Sequence, residues 1–126
     1  LQRRSGRKNS GGAKKGVGAM SINEKVMAAL AGVGVPVRFQ HYSGDAQTYI
    51  TFFTYLDRPA GYADDRELGT GNYVQVDVWS KKDYGKLVEA VHKKMLAAGF
   101  VKQSFYDLYE EELKIYHKAM RFLKEV

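Results

Sequence analysis

The stretch NYVQVDVWSKKDYGKLVEAVHKKMLAAGF, residues 72–100, constrains the fold more than any other part of the chain. Val74, Val76 and Val78 alternate with Tyr73, Gln75, Asp77 and Trp79. A period of two in β-branched and aromatic residues specifies a strand, and one face of this strand is wholly apolar. Ser80 ends the alternation. Ser80-Lys81-Lys82-Asp83 has the form of a helix N-cap with an acid at the third helical position. Apolar residues then recur at Tyr84, Leu87, Val88, Val91, Met95 and Ala98, which is one face of an α-helix. Gly99 follows where a left-handed C-cap is usual, and Lys93 and Lys94 lie near the negative end of the helix dipole. A valine face beside a matching helical stripe predicts that the two pack on each other as the core.

The chain has 126 residues, enough for one domain with a modest core. An apolar content of 44% with 13% aromatic residues argues for a packed globule. The absence of cysteine excludes disulfides, thiolate metal sites and a cysteine nucleophile, and it fits a reducing compartment. No apolar run approaches the roughly 18 residues of a membrane span, and no signal-peptide pattern is visible. The net charge of +6 belongs to one end. Arg3, Arg4, Arg7, Lys8, Lys14 and Lys15 precede residue 21 with no acid among them, and the remaining 14 bases balance the 14 acids. The body of the chain therefore has no net electrostatic attraction for nucleic acid. Residues 1–20 read as a basic, Gly- and Ser-rich disordered extension ahead of a domain at 21–126. Either it is an upstream extension before Met20, or it is an arm that contacts DNA through residues 3–15.

Ser21-Ile22-Asn23-Glu24 is a capping box, and Ile22, Val26, Ala29 and Leu30 form a short apolar stripe. They predict a helix over 22–31, ended by Gly32, Gly34 and Pro36. Residues 37–39 suit a short strand and residues 41–47 a turn. Residues 48–57, TYITFFTYLD, are the strongest β segment: Ile50, Phe52 and Leu56 share one face, and Tyr49, Phe53 and Tyr55 the other. Residues 58–71, RPAGYADDRELGTG, read as a long mixed-charge loop between two strands, and loops of that length often make contacts. The last third is ambiguous. Tyr109, Leu113, Tyr116, Met120 and Leu123 fit a helix, while 104–109 and 113–118 also fit a strand period.

Few residues suit chemistry. His41, His92 and His117 lack ligand spacing. GTGN at 69–72 precedes a strand, the wrong context for a phosphate loop. Asp64-Asp65 stands alone, and Asp77 sits where pairing with a basic neighbour is expected. No cofactor, metal site or catalytic constellation is predicted. Spare aromatic surface on the strands, carried by Tyr49, Phe53, Tyr55, Tyr73 and Trp79, instead predicts a protein interface.

Taken together, Thr48-Tyr49-Ile50-Thr51-Phe52, Arg58-Pro59-Ala60, Tyr62-Ala63-Asp64-Asp65, Val74-Gln75-Val76-Asp77-Val78-Trp79-Ser80, Asp83-Tyr84 and Gly99-Phe100 resemble the tail-completion proteins of long-tailed, non-contractile bacteriophages and prophages. These are also called tail-to-head joining or tail-terminator proteins. The resemblance spans about Met20 to Val126, and its most specific part is Gln-Val-Asp-Val-Trp-Ser followed by the helix closing in Gly-Phe. It implies an α+β fold: an antiparallel or mixed sheet of about four to five strands, two helices on one face, in the order α-β-β-β-α-β-β. That order turns the last third into a hairpin near 105–109 and 113–122. The implied function is structural, not enzymatic. Such proteins form a ring, usually of six, on the head-proximal end of the tail tube, assembled in the bacterial cytoplasm and retained in the virion. The implied partners are further copies of the chain, the tail tube protein and a head-closure or neck protein. No membrane is involved, and DNA would pass through the ring. The interface expected from these considerations comprises Phe53, Tyr55 and Trp79 on the strands. It also takes in Arg58, Tyr62, Asp64, Asp65, Arg66 and Glu67 on the long loop, which would reach toward the channel or tube. A different neck connector and a nucleic-acid-binding module are the rival readings.

Overall fold

The computed structural model describes residues 20–63 and 66–125, so the basic extension and the Asp64-Asp65 pair lie outside the described residues. The elements run α1 (Ile22–Ala29), β1 (Val37–Phe39), β2 (Thr48–Ala63), β3 (Arg66–Ser80), α2 (Gly85–Ala97), β4 (Val101–Glu110) and β5 (Ile115–Glu125). The strands form one five-stranded sheet in the order β1-β2-β3-β5-β4. β1 joins β2 in parallel, and the other neighbours are antiparallel. The architecture is therefore α+β with a mixed sheet, in the order that the resemblance implied.

The valine face of β3 is the centre of the core. Val74, Val76 and Val78 are fully buried with Ile50 and Phe52 of β2 and Met120 and Phe122 of β5. Val26 and Leu30 from the first helix and its C-cap, and Val91 and Met95 from α2, pack on them. Each such side chain contributes on the order of 1.5–3 kcal/mol by leaving water. Both helices thus lie on one side of the sheet.

Local signals set the first helix. The Ser21 amide donates to Glu24 Oε1 at 2.8 Å, and the Glu24 amide donates to Ser21 Oγ at 3.1 Å, closing the capping box. The helix stops at Ala29, slightly before the expected end, with Leu30 as its cap. The second helix starts later than the sequence predicts. Ser80 remains in β3, held extended opposite Thr48, with the two hydroxyls 2.9 Å apart. Its Oγ accepts from the Lys82 amide and so supports a turn rather than a helix. The N-cap is Tyr84, whose side chain makes no capping bond, while Asp83 Oδ1, one residue earlier, accepts from the Gly85 amide at 2.8 Å. The ladder to Thr48 outweighs the local capping preference of Ser80. At the other end Gly99 has φ +92°, the left-handed cap the sequence predicts.

Three further expectations are corrected or decided. A β-bulge at Tyr55 adds one residue to β2, so Leu56 rather than Tyr55 is registered with Tyr73. Leu56 therefore leaves the Ile50 and Phe52 face and is exposed, against the uninterrupted alternation expected of it. The expected loop over 58–71 is not a loop. β2 continues to Ala63 and β3 begins at Arg66, with Arg58 opposite Gly71 and Tyr62 opposite Glu67. Gly61, Gly69 and Gly71 weaken a strand without preventing a twisted two-stranded ladder, which irregular register accommodates here. Finally, the last third is a hairpin, because β3 offers β5 a ten-residue ladder from Gly71 to Ser80.

Candidate functional site

The second face of the sheet carries no helix among the described residues. Alternation places Tyr49, Thr51 and Phe53 of β2 there, beside Tyr73, Gln75, Asp77 and Trp79 of β3 and His117, Ala119 and Arg121 of β5. Tyr106 and Leu108 of β4 continue the face opposite Ala119 and His117. The residues 41–47 turn covers one corner, where Tyr42 stacks on Tyr49 with ring centroids 4.3 Å apart.

A chain of polar contacts runs down the middle of this face. Asp77 is only 4% exposed, and its Oδ1 meets His117 Nε2 at 2.6 Å and accepts from Gln75 Nε2 at 2.7 Å. Gln75 Oε1 in turn accepts from Arg121 Nε at 2.9 Å. Asp77 thus has the basic partner that the sequence reading expected, supplied by β5. Aromatic rings flank the chain at both ends. The Trp79 indole stacks on the His117 imidazole at 3.8 Å and donates from Nε1 to Thr51 Oγ1 at 3.0 Å. Tyr49 lies beyond it at 6.1 Å. At the far end the Arg121 guanidinium lies 4.8 Å from the Tyr55 ring and 5.8 Å from the Tyr106 ring. The face satisfies its polar groups laterally, which lets it lie open without unpaired buried charges.

The phenols are held protonated. Burial pushes the Tyr55 hydroxyl up, against the opposing pull of the nearby Arg121 cation. Burial likewise raises Tyr49, with neighbouring Tyr42 adding to it. On the helix side Tyr84 is pushed up to about 12, first by burial and then by its hydrogen bond to the Asp107 carboxylate. The same hydrogen bond, with Lys118 at 3.2 Å, holds Asp107 below the usual carboxylate range. Among the described residues these phenols and Asp107 are held by burial, by hydrogen bonds and by neighbouring charges. Among the described residues no group of three or more potential ligands could hold a metal ion. Among them, too, no helix is long and apolar enough to cross a membrane.

The fold has a counterpart in a virus-like particle. The chain is similar to a chain in a solved structure of the virion of a native gene transfer agent particle, with a TM-score of 0.58 at 15% identity. The likeness covers 84% of this chain and 91% of that one. No protein-family model matches the sequence, and no curated protein matches it. At that identity the likeness concerns the fold, and it spans nearly the whole of both chains.

The expected interface residues divide into two groups. Phe53, Tyr55 and Trp79 lie on the open face, Tyr55 and Trp79 toward its opposite ends. Arg58, Tyr62, Arg66 and Glu67 belong to the paired backbone of the β2–β3 arm, and Asp64 and Asp65 fall between Ala63 and Arg66, outside the described residues. Sequence reasoning placed Gln75 on the Tyr73 and Trp79 side of β3, but missed His117 and Arg121 as members of the face, and Tyr106 and Leu108 as its exposed apolar edge, each 48% exposed. The alternation of His117, Ala119 and Arg121 carried the signal, but only if the last third was already known to be a strand.

Proposed function

We propose that this chain is a tail-completion subunit of a phage-like particle. Copies of it form a ring on the head-proximal end of a tail tube, end tube growth and present a surface to the neck. The observation that carries the reading is the near full-length fold likeness to a gene transfer agent virion chain, which agrees with the resemblance carried by the Gln75–Ser80 strand and its helix. The open face supports it: an aromatic, laterally braced surface is suited to cover by another protein. A closed ring needs two complementary surfaces on each subunit, because its contacts are heterologous. The face around Phe53, Tyr55 and Trp79 is one of them, and the arm carrying Arg58, Tyr62, Arg66 and Glu67 is the other.

The test is electron microscopy of lysates from the producing strain with this gene deleted. Filled heads beside detached, overlong tails are the expected result. Normal tails detached from leaking heads would assign the chain to head closure instead, and intact particles of normal length would remove the proposal.

A further inference from the structure

Both borders of the sheet are open over comparable lengths. In the order β1-β2-β3-β5-β4, β4 is one border. Among the described residues its ten residues pair only with β5, so its outer edge is free from Val101 to Glu110. At the other border β1 is three residues long and covers β2 only at Ile50–Phe52, where the Gln40 amide donates to the Phe52 carbonyl. From Phe53 onward, among the described residues, β2 pairs only with β3, through Asp57 and on into the arm. The face and the arm assigned above as complementary surfaces thus each end in a free strand edge.

A row of unpaired amides and carbonyls is a template for another strand, and folds that stay single blunt it with lysine, proline, bulges or a cover. On β4 such devices are confined to its start, at Lys102 and the irregular register between Lys102 and Ser104. From Ser104 to Glu110 the register with β5 is continuous, and the segment contains no lysine or proline. The free edge of β2 has its bulge at Tyr55, and its first proline, Pro59, comes only in the arm. Exposed apolar side chains line both edges on the open face, Tyr106 and Leu108 on β4 and Tyr55 and Leu56 on β2. Strand direction suits a pairing of the two. β2 is antiparallel to β3, β3 to β5 and β5 to β4, so β4 runs opposite to β2. A second copy set beside the first, helices on the same side, therefore brings its β2 antiparallel to β4, the more stable mode. A two-fold β4–β4 contact would leave β2 of both copies open, whereas a β4–β2 contact satisfies both edges and repeats.

We infer, resting on the ring reading above, that copies of this chain join edge to edge, with residues 104–110 of β4 adding as a strand to β2 of the next copy from Phe53 toward the arm. Main-chain hydrogen bonds hold the pair, and Tyr106 and Leu108 lie against Phe53 and Leu56 of the neighbouring copy. The open face then continues from one copy to the next. Carried round a closed ring, this pairing covers both of the edges in every copy.

Hydrogen exchange tests this without changing a residue. The full, unaltered chain is exchanged in dilute solution and again at millimolar concentration, with oligomers followed by native mass spectrometry and amides resolved on overlapping fragments. On concentration, about half of the amides in 104–110 and in 53–57, those pointing away from the strand already paired, should slow by about tenfold or more. The amides of 74–78, on a strand paired on both sides, should keep their rates. Slowing on β4 without β2 would mean a two-fold contact and overturn the inference, as would slowing on β2 without β4. Slowing at neither edge, whether the chain stays monomeric or associates through another surface, overturns it equally. Exchange is scored independently of tails. Protection of both edges in a chain whose deletion leaves particles intact keeps this contact and removes the tail-completion reading, whereas overlong tails with both edges unprotected do the reverse.

Discussion

On the helix side of the sheet, Ile50, Phe52, Val74, Val76, Val78, Met120 and Phe122 are sealed under α1 and α2 and are apolar throughout. On the other side the same strands alternate aromatic rings with a hydrogen-bonded row of Arg121, Gln75, Asp77 and His117. The first face gains its free energy by excluding water, and its members are interchangeable as long as volume is kept. The second is bound by specific, directional contacts that leave its rings partly exposed. One face explains why the domain folds, and the other is available to do something once folded.

The sharpest way to break this contrast is to empty the sealed side. Phe122→Ala should cost about 3–5 kcal/mol, read as a fall in the denaturation midpoint. Tyr106→Ala on the open side should cost under about 1 kcal/mol. Equal losses would mean that the open face is also a core. A smaller effect is expected from Asp77→Ala, which strands His117 and Gln75 without their shared acceptor and should cost about 1–3 kcal/mol. A cost near zero would show that the polar row braces nothing. Smaller again, Trp79→Phe keeps a ring over His117 but removes the donor to Thr51. It should cost about 0.5–1.5 kcal/mol by the same measurement.

The least effect tests the rim of the helix side. The Tyr84 phenol ionises near the ordinary 10.0 in the unfolded chain and at about 12 when folded. The folded chain therefore keeps a proton that the unfolded chain releases between those values. Its contribution is whole below about pH 10 and is lost as pH rises toward about 12. Denaturation midpoints across that interval should decline less steeply in Tyr84→Phe than in the parent. Parallel curves would remove Tyr84 as the source. Asp107 works in the opposite sense: its lowered carboxyl favours the fold above the ordinary carboxylate range and ceases to as pH falls through its folded value. Its side chain is 69% exposed, so solvent screening keeps that effect slight.

Which strands were legible follows from how local their causes are. β3 declares itself through Val74, Val76 and Val78, and α1 through Ser21 and Glu24, because those patterns act within a few residues. The α2 stripe from Leu87 to Val91 and Met95 was visible, but its start was not, since Thr48 competes for Ser80 from 32 residues away. Leu56 was misplaced by a single bulged residue. The arm was hidden because its glycines and Pro59 carry turn chemistry, and only mutual pairing makes them a ladder. Half of the candidate face was legible as spare aromatics. The other half, on β5, needed the hairpin first.

By itself the sequence determined the alternating and helical segments, the capped start of α1 and the Gly99 stop, the concentration of charge before residue 21 and the absence of thiol chemistry. Those follow from stereochemistry and composition, which act on neighbouring residues. Only the tertiary structure decided that β5 inserts between β3 and β4, and that Asp77 meets His117 across 40 residues of chain. It alone placed Arg121 between Tyr55 and Tyr106. Strand order and cross-strand register depend on which distant edges satisfy one another's backbone groups and bury one another's side chains, and no local pattern records that choice.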